Sequence, residues 1–257
     1  MAYGELGSET LKWAAQNVFG LKPESMPARI VITPLKVEDF FEGFQVAITR
    51  DGLIFDKVGN SFLVSKDNRQ VLFSEGGMGA SNFADSSYIL CHCRSVEEII
   101  FVGTGGGIGE HVKSADINIP PSCIRLDKVL EIFLPPEAPA NADRQLEREL
   151  KSEIRKTVGK LGVKVHSGVH ATVPFFLSET KLLLTNLQKQ GVLSVDMELS
   201  VLYALANHYN KKAVGIIRIG DLPIKGLLAW KSRSSKLRLK REVHAKILHG
   251  IINYFFG

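Results

Sequence analysis

Cysteine is the scarcest chemistry-bearing residue in this chain, with Cys91, Cys93 and Cys123 the only three among 257 residues. An odd and sparse set argues against a disulfide framework. Cys91, His92 and Cys93 are adjacent, but a structural zinc site draws on two ligand pairs at suitable spacing. No second pair is present, so no metal is expected. Long apolar runs are lacking too. No stretch reaches the roughly 18 uncharged apolar residues that a spanning helix requires, so no membrane crossing is expected. Residues 1–20 include Glu5 and have no basic segment leading into an apolar run, the pattern of a secretory leader; the expected location is cytoplasmic. Strong charge of either sign is also missing, the net charge being +5. Much of it lies in Lys231, Arg233, Lys236, Arg238, Lys240 and Arg241, with no interleaved aromatics of the kind single-strand binders use. Behind these cations Leu237, Leu239, Val243, Ile247, Ile251 and Phe255 recur at helical spacing. The run therefore reads as the solvated side of a C-terminal helix, and nucleic acid is not an expected partner.

What is present is an alternation of two kinds of segment. Apolar runs bounded by turn residues read as strands over Arg29–Ile32, Phe44–Ile48, Ser61–Val64, Gln70–Phe73, Glu98–Val102, Val163–Val169 and Ala213–Ile219. Helical spacing marks Ala142–Leu161, where Leu146, Leu150, Ile154, Val158 and Leu161 repeat every three or four residues. A second helix is predicted over Asp196–Tyr209 and a third at the C-terminus. Strands dominate the first part, while helix and strand alternate in the second. The expected fold is α/β, a single domain over 1–257 with a central mixed β-sheet flanked by helices on both faces. Residues 1–28 form an N-terminal extension, and Pro135–Asn141 is too short a linker to force a boundary.

The most informative segment runs from Ile99 through Val102 into Gly103, Thr104, Gly105, Gly106, Gly107, Ile108 and Gly109. It reads as a buried strand entering a glycine-rich turn. Glycines let backbone N–H groups approach an anion closely, and a tight turn closing a core strand needs them equally. Two phosphate loops are excluded: counted from Gly103, the sixth position of a dinucleotide fingerprint is Ile108, and no Gly-Lys-Ser/Thr ending follows.

The neighbouring residues carry a specific resemblance. Val102–Gly106, continued by His111, Val112 and Asp116, is similar to the V-G-[ST]-x-G…H-V-x-x-x-D stretch of hexameric purine nucleoside phosphorylases. Gly191–Tyr203, with Val195, Asp196, Met197 and Glu198, resembles that family's G-[IV]-x-x-V-[ED]-M-E-x-x-x-[IL]-Y signature. Ile216–Asp221 resembles its strand ending in Ser-Asp, and Val173–Phe176 its aromatic pair beside the base. Fainter echoes are Pro34–Lys36, similar to the Pro-Leu-Arg of a phosphate loop, Thr49–Arg50, similar to a Val-Arg reaching a neighbouring subunit's phosphate, and Gly76–Gly79, similar to a His-Gly-Met-Gly turn. The motifs stand in the family's order across about residues 29–256. The chain thus resembles the nucleoside phosphorylase and nucleosidase superfamily.

That resemblance implies a division of labour. Cleaving a nucleoside passes through a ribosyl group with oxocarbenium character, so a site must hold the sugar, stabilise positive charge and protonate the departing base. Glu198 is expected to accept hydrogen bonds from the ribose hydroxyls, with Met197 as a polarisable wall beside the sugar. Asp221 is expected to protonate the purine at N7, Phe175 to stack on the base, and Asp196, Met78 and Thr104 to complete the nucleoside contacts. Phosphate is assigned to Lys36, Arg50, Thr104 and Gly105. Plainer alternatives remain for each: a helix N-terminal carboxylate at Glu198, a turn-opening Asp221 before Pro223, and core packing for Phe175.

Departures concentrate in the phosphate site. Phe101 stands where the family places an arginine, Ile32 and Thr33 where Gly-Asp is expected, and Lys36 exchanges a bidentate fork for a point charge. Gly220 replaces a serine, and the arginine that assists the acid is not singled out among Arg233, Lys236 and Arg238. Leu177–Lys181 stand where uridine phosphorylases carry Gln-x-Arg, which points toward a purine. The resulting expectation is a pentosyltransferase that uses inorganic phosphate as co-substrate, with no cofactor. The alternatives are a phosphate-independent nucleosidase of the methylthioadenosine type, a uridine phosphorylase, and a non-catalytic nucleoside-binding relative. The partners implied are a nucleoside, phosphate and further copies of the chain. Arg50 serves only from a second subunit, so a dimer is the minimum and a hexamer, as a trimer of dimers, is expected.

Overall fold

The computed structural model describes residues 7–37, 41, 52–228 and 234–257. Its strands are β1 (Arg29–Thr33), β2 (Ile54–Val58), β3 (Ser61–Lys66), β4 (Arg69–Glu75), β5 (Glu98–Gly107), β6 (Ile117–Asn118), β7 (Cys123–Arg125), β8 (Val165–His166), β9 (His170–Thr172), β10 (Ser194–Asp196) and β11 (Lys212–Asp221). Its helices are α1 (Ser8–Phe19), α2 (Ala80–His92), α3 (Arg144–Val158), α4 (Lys181–Lys189), α5 (Leu199–His208) and α6 (Ser234–Phe256). The expected strand over Phe44–Ile48 lies outside the described residues, as do Arg50, Lys231 and Arg233. Among the described residues, no helix is long and apolar enough to cross a membrane.

The strands join one mixed sheet in the order β2-β3-β4-β1-β5-β10-β9-β7, with β11 on the other edge of β5, then β6 and β8. Parallel pairing of β1 with β4, and of β1 and β11 with β5, forms the centre. Helices cover both faces, so the middle of β5 and β11 is continuously buried and reads as an unbroken apolar run. On one face α5 presses so closely that a Cβ at Gly215 would lie 2.5 Å from a Leu199 methyl. Arg218, of opposite parity, faces His244 of α6. Helix α6 also packs on α3, where a Cβ at Gly250 would meet Ile154 at 2.7 Å.

Helix α3 follows from local chemistry. Asp143 caps it, accepting from the N–H groups of Gln145 at 3.1 Å and Leu146 at 2.8 Å, while Leu146, Leu150, Ile154 and Val158 form its buried stripe. Two expected elements are corrected. Val163–Val169 is not one strand: Asn118 accepts from the Gly168 N–H and donates to its carbonyl, both at 3.0 Å, and this bend separates β8 from β9. Each then pairs with a different neighbour. The helix predicted from Asp196 begins at Leu199 instead, because Asp196 still belongs to β10 and its Oδ2 accepts the Leu199 N–H at 2.9 Å.

Candidate active site

The glycine segment is a strand and not a turn. β5 continues through Gly107, paired with β11 as far as Gly106. Close approach explains its composition. A Cβ at Gly105 would sit 2.3 Å from the Val195 carbonyl oxygen, and one at Gly103 would sit 2.5 Å from the Phe101 ring. On the opposite edge of β5, β1 pairs only along Glu98–Phe101 and β10 only at Gly106 and Gly107. Between them Val102–Gly105 has no strand partner on that edge among the described residues. Ligands of α/β sheets collect at such a break, beyond the strands' carboxyl ends. A cavity opens there, lined by Thr104, Gly105, Gly106, Phe176, Glu179, Val195, Asp196, Met197, Glu198, Gly220 and Asp221.

Glu198 enters from the junction of β10 and α5 and is 3% exposed. Its Oε1 accepts the Gly79 N–H at 2.7 Å and its Oε2 the Met197 N–H at 3.2 Å. Gly79 presents that N–H from a turn with φ of 85° at Gly77 and 84° at Gly79, a conformation suited to glycine. Burial, and then the charge of Asp196, push the Glu198 carboxyl up to about 8, against the opposing pull of the two backbone hydrogen bonds. Glu198 does not cap α5, since Asp196 takes that part.

Asp196 lines the cavity, but its oxygens are engaged. Oδ1 accepts from Thr172 Oγ1 at 2.7 Å and lies 2.9 Å from His170 Nε2, off the N–H axis, while Oδ2 holds Leu199. His170 in turn meets Ser194 Oγ at 2.7 Å through Nδ1. Asp196 therefore orients α5 and biases Glu198 electrostatically more than it offers atoms to a ligand.

Asp221 comes from the far end of β11. The register between β11 and β5 slips between Ile219 and Asp221, so Gly220 forms an irregularity that re-aims the next side chain. The half-buried Asp221 lines the cavity together with Glu198 and Thr104.

Other expected residues fall elsewhere. Phe175 is 57% exposed and is not among the lining residues; Phe176, the first residue of a 3-10 turn over Phe176–Ser178, takes that place. Met78 is 60% exposed and Lys36 is exposed, both outside the lining. Phe101, in the position of the expected arginine, is fully buried and meets Phe83 edge-on with ring centroids 5.2 Å apart. Glu179 was not singled out by the sequence patterns, yet it lines the cavity. Burial, then the charges of Asp221 and Asp196, push its carboxyl up to about 7. The available signal was its place between the aromatic pair and Thr180, which caps α4 by accepting the Leu183 N–H.

A family model described as the phosphorylase superfamily matches residues 49–253. A DeoD-type purine nucleoside phosphorylase of Buchnera aphidicola is 28% identical over 170 residues, covering 65% of this chain and 71% of the relative. The structure superposes on purine nucleoside phosphorylase from Toxoplasma gondii in complex with immucillin-H, with a TM-score of 0.71 at 20% identity over 90% of this chain and 92% of that one. It also superposes on AMP nucleosidase from Bacteroides thetaiotaomicron, with a TM-score of 0.68 at 18% identity over 96% and 98%.

Proposed function

The chain belongs to the phosphorylase superfamily, and from that premise we propose that it is a nucleoside phosphorylase that cleaves a purine nucleoside with inorganic phosphate. The observation that carries this reading is the convergence of Glu198, Asp221 and Thr104 on one cavity, from three elements distant in sequence. In the proposed reaction a phosphate oxygen attacks C1′ of the ribose as the bond from C1′ to N9 breaks. The bonding pair moves into the purine, and Asp221 transfers a proton to N7, so free base and ribose 1-phosphate result. Glu198 accepts hydrogen bonds from the ribose hydroxyls, and its ionised form stabilises the positive charge that develops at C1′. Met197 supports the sugar, and Phe176 stacks on the base in the place the sequence assigned to Phe175. Thr104 and the backbone of Gly105 hold the phosphate, with Arg50 reaching in from a neighbouring copy. The active unit in this reading is at least a dimer, with a trimer of dimers as the expected assembly and the cytoplasm as the location.

A second reading is favoured by Phe101. The position that would hold phosphate with a guanidinium is instead a buried aromatic packed on Phe83, and hydrolysis by water needs no phosphate ligand. Nucleosides assayed with and without phosphate separate the two. Base release that depends on phosphate and yields ribose 1-phosphate is the expected result; equal release in phosphate-free buffer overturns it in favour of a nucleosidase.

A further inference from the structure

Two carboxyl groups besides those of Asp196 and Glu198 line the same cavity, Asp221 from the end of β11 and Glu179 from the turn before α4. The backbone holds Glu179 in place. Its N–H donates to the Phe176 carbonyl at 3.1 Å, and the next N–H, that of Thr180, donates to Ser178 at 2.7 Å. Thr180 then caps α4, which is anchored through Leu184 and Leu187 in a small core with Ile108, Ala171, Val192 and Val195. Glu179 is thus fixed beside Phe176, although its carboxyl makes no hydrogen bond or ion pair with any described residue. The carboxyl is half-buried, so water reaches it in the open cavity, and a base that displaces that water must replace its hydrogen bonds.

The chemistry of the purine edge supplies the missing partner. On that edge N7 is an acceptor, and the neighbouring 6-substituent is a donor when it is an amine and an acceptor when it is an oxo group. An Asp221 that carries the proton donates to N7, while an ionised Glu179 beside it only accepts. Donor and acceptor side by side match N7 with a 6-amino group; a 6-oxo group would set its oxygen against the carboxylate. We propose that Glu179 reads the 6-position of the base and makes this site selective for 6-aminopurine nucleosides over 6-oxopurine nucleosides. The assignment rests on the phosphorylase reading of the same cavity. Burial and the charges of Asp221 and Asp196 push the Glu179 carboxyl up to about 7, so the pair shares one proton near neutral pH; N7 only accepts, which favours the arrangement with the proton on Asp221 and Glu179, relieved of that neighbouring charge, ionised.

Adenosine and inosine differ at the 6-position and form the matched pair for the test. The wild-type protein is expected to favour adenosine in kcat/KM by about tenfold or more, the scale of a good base contact. In Glu179→Gln the amide can turn an N–H toward a 6-oxo group, and the preference is expected to fall to parity or reverse. Calorimetric binding of free adenine and hypoxanthine to both proteins gives a readout that needs no turnover and should show the same change. An unchanged ratio in Glu179→Gln, or wild-type binding of hypoxanthine as tight as that of adenine, overturns the role of Glu179 while leaving phosphate-dependent cleavage intact. Failure to cleave either nucleoside, with or without phosphate, counts instead against the phosphorylase reading, and the base-binding comparison still decides the part played by Glu179.

Discussion

Glu198 shows how a single side chain sets function against stability. In the unfolded chain its carboxyl ionises near the ordinary value of 4.5, whereas burial and Asp196 raise it to about 8 in the fold. The native state therefore holds a proton that the unfolded state has released, and stability falls as pH rises from about 4.5 through 8. Glu198→Gln retains an oxygen for the Gly79 N–H and removes the titration. Its melting temperature is expected to exceed that of the wild type by several degrees above pH 8, on the order of 2 kcal/mol, with the gain vanishing near pH 4. Thermal melts across that range test this, and an equal or lower melting temperature at pH 8.5 contradicts it. Above pH 8, where Glu198 is mostly ionised, the same variant should lose about 100-fold or more in base release, because a neutral amide stabilises little of the charge that develops on the ribosyl group. At this scale the sequence was partly legible. Glu198, Asp221 and Thr104 could be picked out because each sits in a recognisable run, but Glu179 sits in none, and Phe175 could not be told from Phe176 because a 3-10 turn decides which ring faces inward.

Among the elements, β5 governs the site. From sequence its glycines read as a turn that either holds an anion or closes a core strand, yet they permit β10 and neighbouring side chains to close on a continuing strand. Gly105→Ala would bring a Cβ to 2.3 Å from the Val195 carbonyl oxygen, a backbone atom that cannot rotate away. The expected cost is about 2 kcal/mol from overpacking, read as a lower denaturant midpoint. Activity should fall further than stability alone explains, because the displaced β10 leads directly to Met197 and Glu198. Wild-type stability with wild-type kinetics in this variant would mean that the contact is slack. Helix α3, by contrast, was legible down to its cap, since its spacing and Asp143 act within a few residues.

For the whole molecule, the cavity exists only because the sheet brings together Thr104 on β5, Glu179 before α4, Glu198 after β10 and Asp221 at the end of β11. This arrangement also limits what one substitution can restore. Phe101→Arg would recreate the family's residue type, but the position is enclosed and packed on Phe83. The expected outcome is a loss of about 3 kcal/mol from an uncompensated buried charge, with no decrease in the KM for phosphate. Denaturant unfolding and phosphate titration together check this, and a stable variant with a lower phosphate KM would show that the pocket accepts the guanidinium.

By itself the sequence determined the α/β class, the first half of the central strand β5, the amphipathic helix α3 and the order of the motifs, because periodicity, caps and short runs act between near neighbours. The tertiary structure decided that the glycines serve strand packing, that Phe176 lines the cavity, that Asp196 is tied up by Thr172 and Leu199, and that Glu179 stands beside Asp221. Each of these depends on atoms brought within a few ångströms from distant parts of the chain, and no local pattern encodes that proximity.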